Sequence, residues 1–353
     1  WFFDRDKKNI PSPRKGERAR VRGKDTVLML DARNVYRKVT RKIYDFSPEQ
    51  QQNLQAIVWL YRGETERYLQ LVSYYLGNVA DEASACFEVE DDLGQRFHPL
   101  SDFSDALNAL RETLALHLKE ISPLPQGEHP EGHKGQGEGG LPELVKELDQ
   151  ETQQYEQDVN QFKKSANKAV KDWEKAPDTN TALVKLTTAF EPLAEASRDL
   201  TKQTDLIYKL ATRLIDEVAN VGRVSDSVTR QAASPRDLTR ARKTADEARG
   251  IAVEQLKKVR YFWKQAHWLT DRFPQGQLRD VEGLVKLVDV KEIEANDWSL
   301  TPGRYVGVAP EEEDEDFDFE ETLREIHVEL EDLNAEAVKL AATIKRNFEE
   351  LGI

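Results

Sequence analysis

The chain has 353 residues, of which 33% are charged, 39% hydrophobic and 8% aromatic, and its net charge is −14. That balance suits exposed amphipathic helices better than a thick globular core, and no run of about 18 apolar residues offers itself as a membrane span. Cys86 is the single cysteine, which excludes an internal disulfide and fits a reducing, cytoplasmic compartment.

The charge is unevenly spread. Residues 1–43 carry 14 Lys/Arg against 5 Asp/Glu, leaving about −23 for the remainder. An acidic surface repels a polyanion, so the chain as a whole is no DNA clamp, and only the first segment is suited to face phosphate. The opening Trp1-Phe2-Phe3-Asp4 has neither a starting Met nor the order of a signal peptide, and reads as a strand cut from something longer.

Trp1-Phe2-Phe3 and Thr26-Val27-Leu28-Met29-Leu30 read as two short buried strands around a polar, basic loop, and so as an antiparallel hairpin. A lone hairpin is marginal in water, so this one is expected to belong to a larger sheet. Ser47-Pro48-Glu49-Gln50 has the marks of a helix start: a capping hydroxyl, Pro at the first helical position and Gln to close a capping box. That helix presents Leu54, Ile57, Val58 and Tyr61 on one face and is interrupted at Gly63; a second, from Glu64, is expected to end near Gly77-Asn78. Ser101 to Ile121 is amphipathic through Leu107, Leu110, Leu114 and Leu118.

Gln126 to Gly140 holds no apolar residue and reads as a flexible linker. Three long helical segments follow, about 141–175, 179–221 and 236–272. The first carries Leu141, Leu144, Leu148, Tyr155, Val159, Phe162, Ala166 and Trp173 at near-heptad spacing. The third carries the smaller Ala241, Ala245, Ala248 and Ala252 with Leu238, Leu256, Val259 and Ala266. Stripes this narrow cannot bury themselves singly, so the three are expected to pack as an antiparallel arm or bundle. After the acidic stretch Glu311 to Asp316, a last helix places Leu323, Ile326, Leu330, Leu333, Ala337, Leu340 and Ile344 at alternating steps of three and four.

The fold class is therefore mainly α: a long antiparallel helical arm or bundle with a residual β-hairpin. The expected divisions are 1–45 (strands and basic loop), 46–125 (helical), 126–140 (linker), 141–272 (long-helix arm), 273–310 (turn-rich connector) and 311–353 (acidic linker and heptad helix).

One stretch is the most distinctive: Arg272-Phe273-Pro274-Gln275-Gly276, then Asp280 to Lys286, then Trp298-Ser-Leu-Thr-Pro-Gly-Arg-Tyr-Val-Gly307. Pro302-Gly303 is a turn pair, and Trp298, Tyr305 and Val306 are suited to anchor it. Arg304 reads as an internal ion-pair partner or a phosphate contact. Trp298 to Gly307, with the acidic stretch and Leu-rich helix after it, resembles the tail of type I restriction-modification modification subunits. Trp1 to Lys8 and Asp25 to Arg33 resemble the last two strands of that family's methyltransferase domain. Phe46 to Glu49 leading to Tyr61-Arg-Gly-Glu64 resembles the helix that follows. Together these cover roughly a third of the residues.

The resemblance implies a parent with a doubly wound α/β methyltransferase domain, of which the two strands are a truncated remnant. Such a parent transfers a methyl group from S-adenosylmethionine to adenine N6 of a flipped base in DNA. No Asn or Asp here is followed by Pro-Pro, and no Gly-x-Gly loop follows an expected strand. This chain is therefore expected to carry no catalytic residue and to bind no cofactor. The resemblance also implies the partners: a specificity subunit, a second modification subunit and a restriction subunit, with DNA reached through the complex. It assigns the docking of the specificity subunit to Leu323, Ile326, Leu330, Leu333, Ala337, Leu340 and Ile344. From the residues alone, the same ridge can instead pack on the chain's own arm, which leaves open a helical coiled-coil scaffold or adaptor with no enzymatic parent. An Asn-Pro-Pro-Tyr/Phe motif encoded upstream of Trp1 would separate the two.

Arg14, Lys15, Arg18, Arg20, Arg22 and Lys24 form a basic loop suited to grip phosphates without reading sequence. His129 and His133 stand four apart, but Pro130 and Gly132 forbid a helix there, so no metal site is expected. Cys86 lacks a basic neighbour and reads as packing, and Tyr261, Phe262, Trp263, His267 and Trp268 read as an aromatic core cluster.

Overall fold

A computed structural model describes residues 26–40, 43–90, 93–121, 141–224 and 235–309, together with Leu323, Ile326, Leu330, Leu333, Ala337, Leu340, Ala341, Thr343 and Ile344. Its elements are β1 (Thr26–Leu30), β2 (Arg37–Thr40), β3 (Ile43–Asp45), α1 (Pro48–Arg62), α2 (Thr65–Ala85), β4 (Val89–Glu90), β5 (Arg96–Phe97), α3 (Pro99–Ile121), α4 (Leu141–Glu174), α5 (Asn180–Val224), α6 (Pro235–Arg272), β6 (Val285–Asp289) and α7 (Val290–Ala295), followed by a 3-10 turn at Pro302–Arg304. The fold is mainly α. Its described strands form three antiparallel pairs, β1 with β6, β2 with β3 and β4 with β5.

The start of α1 follows from its residues. Ser47 Oγ accepts from the Gln50 amide at 3.2 Å, and Gln50 Oε1 accepts from the Ser47 amide at 2.9 Å. Two otherwise orphaned donors are thereby satisfied, and Pro48 spends no hydrogen bond at a position that has none to make. Gly63 ends α1 at φ 76°, a left-handed conformation that a side chain would oppose.

The long helices α4, α5 and α6 do pack antiparallel, and polar rungs record the register. Asp158 and Tyr155 of α4 bond Gln203 and Thr204 of α5. Going up α5, Glu195, Asp205 and Asp216 meet Arg260, Arg249 and Arg242 in descending order on α6. Partly exposed pairs of this kind add little stability; they fix which turn faces which. Small residues bring the helices together: Ala245, Ala252 and Ala266 of α6 are fully buried. Helices α2 and α3 pack on the same α6, so α1 to α6 share one continuous core. The Tyr68 hydroxyl, reaching from α2, donates to the carbonyls of Leu269 and Phe273, both at 3.2 Å, as a second donor beside the Phe273 and Gly276 amides.

One expectation changes, and one strand gains a partner. The expected end of the second helix at Gly77-Asn78 is wrong: α2 runs on to Ala85. Gly77 is there for packing. A Cβ built on it would lie 2.9 Å from Trp173 Cζ2 on α4, so glycine is what lets the indole reach the α2 backbone. Gly77→Leu is expected to cost about 1–3 kcal/mol through this overlap, measured by urea denaturation, and the penalty should shrink in a Trp173→Ala background. The strand that gains a partner is β1. Its expected partner, Trp1-Phe2-Phe3, lies outside the described residues, as do 126–140 with His129 and His133. The partner the structure gives β1 is β6, in register from Thr26↔Asp289 to Leu30↔Val285. Val285-Lys-Leu-Val-Asp289 is only five residues long, preceded by a turn and followed at once by α7, which hid it within the connector.

Candidate functional site

Pairing β1 with β6 joins parts of the chain some 260 residues apart. A second, smaller core forms there from Met29, Val288, Ile293, Tyr305 and Val306, with Val27 packed against it. The backbone sews the same region: the Asp31 amide donates to the Leu284 carbonyl at 2.8 Å, and the Gly283 amide to the Val306 carbonyl at 2.6 Å. Asp31 is buried and holds Arg33 through both carboxylate oxygens, at 2.6 to 3.0 Å. The Arg33 side chain, hydrogen-bonded to it, keeps the Asp31 carboxyl below its ordinary range against the opposing effect of burial. Gly303 of the Pro-Gly turn sits on this pair, where a Cβ would fall 2.5 Å from Arg33 Nη2.

Of the three expected anchors, Tyr305 and Val306 are buried, and the Tyr305 hydroxyl donates to the Ser299 carbonyl. Trp298 is not an anchor. It is 62% exposed and, with Asp297, has a positive φ, 56° and 55°. Its amide closes the end of α7 by donating to the Ile293 carbonyl at 2.9 Å, and that backbone turn sends the indole outward. Arg304 is exposed and makes no ion pair among the described residues.

The described positions of the tail are helical. Leu323, Ile326, Leu330, Leu333, Leu340 and Ile344 are 45–59% exposed, and Ala337 is exposed as well. These are the apolar seam positions of the heptad pattern, the ones a paired helix would cover. Arg14, Lys15, Arg18, Arg20, Arg22 and Lys24 lie outside the described residues.

The remaining candidates are structural. Cys86 is buried, its thiol donates to the Glu82 carbonyl at 3.4 Å, and burial pushes its pKa up, away from a reactive thiolate. Trp263 is buried, stacks on His267 and donates from Nε1 to the Thr187 carbonyl at 2.9 Å. The Tyr261 hydroxyl bonds Glu49 Oε2 at 2.6 Å and Ser47 Oγ at 2.8 Å, and burial pushes it up to about 12. These rings tie α6 to α1 and α5. Among the described residues no three His, Cys, Asp or Glu come together as a metal site, and no helix is long and apolar enough to cross a membrane.

No site is expected from the sequence between Arg33 and Phe46, yet Tyr36 and Tyr44 there are exposed. Tyr36 and Tyr44 meet edge to face across the β2–β3 hairpin, with centroids 5.2 Å apart at 86°. Arg37 clamps Asp45 through Nε at 2.6 Å and Nη2 at 3.1 Å. The alternation of basic and aromatic residues in Tyr36-Arg-Lys-Val-Thr-Arg-Lys-Ile-Tyr44 was the available signal.

Over 73 residues, 21% of its length, the chain is 40% identical to the type I restriction enzyme HindI methylase subunit of Haemophilus influenzae, covering 16% of that protein. Over 75 residues, again 21%, it is 37% identical to the type I restriction enzyme MjaVIII methylase subunit of Methanocaldococcus jannaschii, covering 12% of it. The chain resembles part of a type I methylase subunit. In these matches it spans about a sixth and an eighth of the lengths of those curated relatives. No family profile and no solved structure matches it. Of the stretches that carry the resemblance to type I modification subunits, Thr26 to Arg33 and Trp298 to Gly307 are brought into one body by β1, β6 and the Pro302–Arg304 turn.

Proposed function

We propose that this chain is the C-terminal assembly region of a type I modification subunit, and that its tail ridge docks the helical part of a specificity subunit. The observation that carries this reading is the ridge itself. Six large aliphatic side chains at steps of three and four stand about half exposed, and a surface of that kind is stabilised by a partner helix. Similarity to methylase subunits supplies the kind of partner.

The parent would use S-adenosylmethionine to methylate adenine N6, two such subunits would flank one specificity subunit, and a restriction subunit would complete the cytoplasmic assembly. The loop Arg14, Lys15, Arg18, Arg20, Arg22 and Lys24 would add a sequence-independent hold on DNA phosphates.

Co-expression with the specificity subunit of the same system tests the docking. The two chains are expected to co-elute in gel filtration. Leu330→Glu with Leu333→Glu should weaken the complex by a hundredfold or more, since each buries a charge at the centre of the seam (about 2 kcal/mol or above apiece), with the helical circular dichroism of the chain retained. Normal co-elution of that variant would remove the ridge from the interface and overturn the reading.

A further inference from the structure

We propose that the outward face of α4 lies along a nucleic-acid duplex, its lysines and side-chain amides taking the phosphates of about one helical turn. The inference goes beyond the tail docking and is tested without the specificity subunit. The face lies opposite the buried Leu148, Tyr155, Phe162 and Ala169 of the same helix. From Gln150 it runs at steps of three and four through Gln153, Gln157 and Gln161, all exposed. It continues through Lys164, Lys168 and Lys171 to Lys175, directly after the helix, and these are exposed as well. Asn160 and Asn167 complete it. Over that length no carboxylate interrupts the face, on a chain with 65 Asp/Glu against 51 Lys/Arg. At 1.5 Å per residue the face is about 37 Å long, and one turn of a DNA duplex is roughly 34–36 Å.

A helix face that is merely solvated interleaves acids with bases at i,i+4 spacing. Here Lys164 and Lys168, and again Lys171 and Lys175, stand four apart as like charges, an arrangement that costs helix stability. Glu156, Asp172 and Glu174 flank the face. The last two stand at pairing spacing from Lys168 and Lys171, yet none of the four lysines has an ion pair among the described residues. The helix dipole does not account for them either: it acts on the last turn, and Lys164 precedes Glu174, the end of α4, by almost three turns. Phosphates supply the missing counter-charge, and side-chain amides bond phosphate oxygens without reading sequence. The face carries no aromatic ring for a single strand to stack on and no apolar side chain to enter a membrane. A duplex answers both its charge and its length.

The test uses the full chain with a fluorescent duplex of about 30 base pairs, close to three turns, followed by anisotropy at rising salt. Lys164→Gln with Lys168→Gln, Lys171→Gln and Lys175→Gln should weaken binding about tenfold or more. It should also lower the slope of log affinity against log salt by about 3 to 4, near 0.9 for each cation. Glutamine keeps the helix propensity of lysine, so the far-ultraviolet circular dichroism should not change. The matching Lys→Arg variant keeps the charges and should bind within about twofold of the parent chain. Gln153→Glu with Gln157→Glu puts carboxylates into the uncharged half and should weaken binding as well. The same fall in slope is expected on an Arg18→Gln, Arg20→Gln, Arg22→Gln background, which separates this face from the basic loop. Absence of duplex binding at low salt, an unchanged slope in the Lys→Gln variant, tighter binding of a single strand than of the duplex, or parental binding by the Gln153→Glu, Gln157→Glu variant would overturn the proposal. So would a Lys→Gln variant that keeps its duplex binding and loses co-elution with the specificity subunit, because the face would then be a protein contact.

Discussion

Phe162→Ala is expected to destabilise the helical bundle by about 3–5 kcal/mol, the range for removing a large aromatic from a packed interior. Phe162 is 1% exposed at the middle of α4, and its ring lies 5.9 Å from that of Phe87, just past the end of α2. The Lys163 amine in turn sits 5.3 Å over the Phe87 ring. Loss of the Phe162 side chain therefore opens a void between α4 and the α2–β4 turn, in a core shared by α1 to α6. No polar group is freed to draw water in, so the cost is cavity and lost contact together. Phe162→Leu keeps most of the volume and should cost about 1 kcal/mol. Urea unfolding followed by far-ultraviolet circular dichroism measures both. Equal midpoints for the alanine variant and the parent chain would mean that α4 is not integral to the bundle.

Much of this architecture is legible in the residues, because helices announce themselves through local chemistry. The Ser47-Pro48-Glu49-Gln50 start forms the expected box, and the segments read as 141–175, 179–221 and 236–272 fall within three residues of α4, α5 and α6. Such signals need only neighbours along the chain. The misreadings have non-local causes. Gly77 looks like a helix end until Trp173, almost a hundred residues on, is seen to lie against it. Strand β6 is too short to show periodicity and is specified by β1 across the fold. Trp298 and Tyr305 look alike as anchors in the sequence; only the left-handed backbone at Asp297 and Trp298 decides which ring goes in. The heptad ridge is legible for the same local reason, since its spacing is read directly from the residues. Its described large aliphatic positions are about half exposed.

The joint between β1 and the Pro-Gly turn should fail separately from the bundle, and Tyr305→Ala is the substitution that exposes this. Tyr305 is 6% exposed and fills a core of its own with Met29, Val288, Ile293 and Val306, distinct from the one that holds the helices. Its removal is expected to cost about 3 kcal/mol or more, but the loss should be confined to the elements that this core supports. Hydrogen exchange is the measurement. Amides of β1, β6 and α7 should exchange about a hundredfold faster or more, while those of α5 and α6 keep their protection. Tyr305→Phe keeps the ring and loses only the hydroxyl's bond to Ser299, so it should cost about 1 kcal/mol. Uniform acceleration across the helices would show instead that the two cores unfold as one. The local outcome has a consequence for assembly. The connector that precedes the tail in sequence would then be anchored by five side chains and one strand pair, and Tyr305→Ala would loosen that connector without changing any ridge residue. Co-elution with the specificity subunit should accordingly weaken far less in Tyr305→Ala than in the Leu330→Glu, Leu333→Glu variant, because the ridge proposed to dock that subunit keeps all of its side chains.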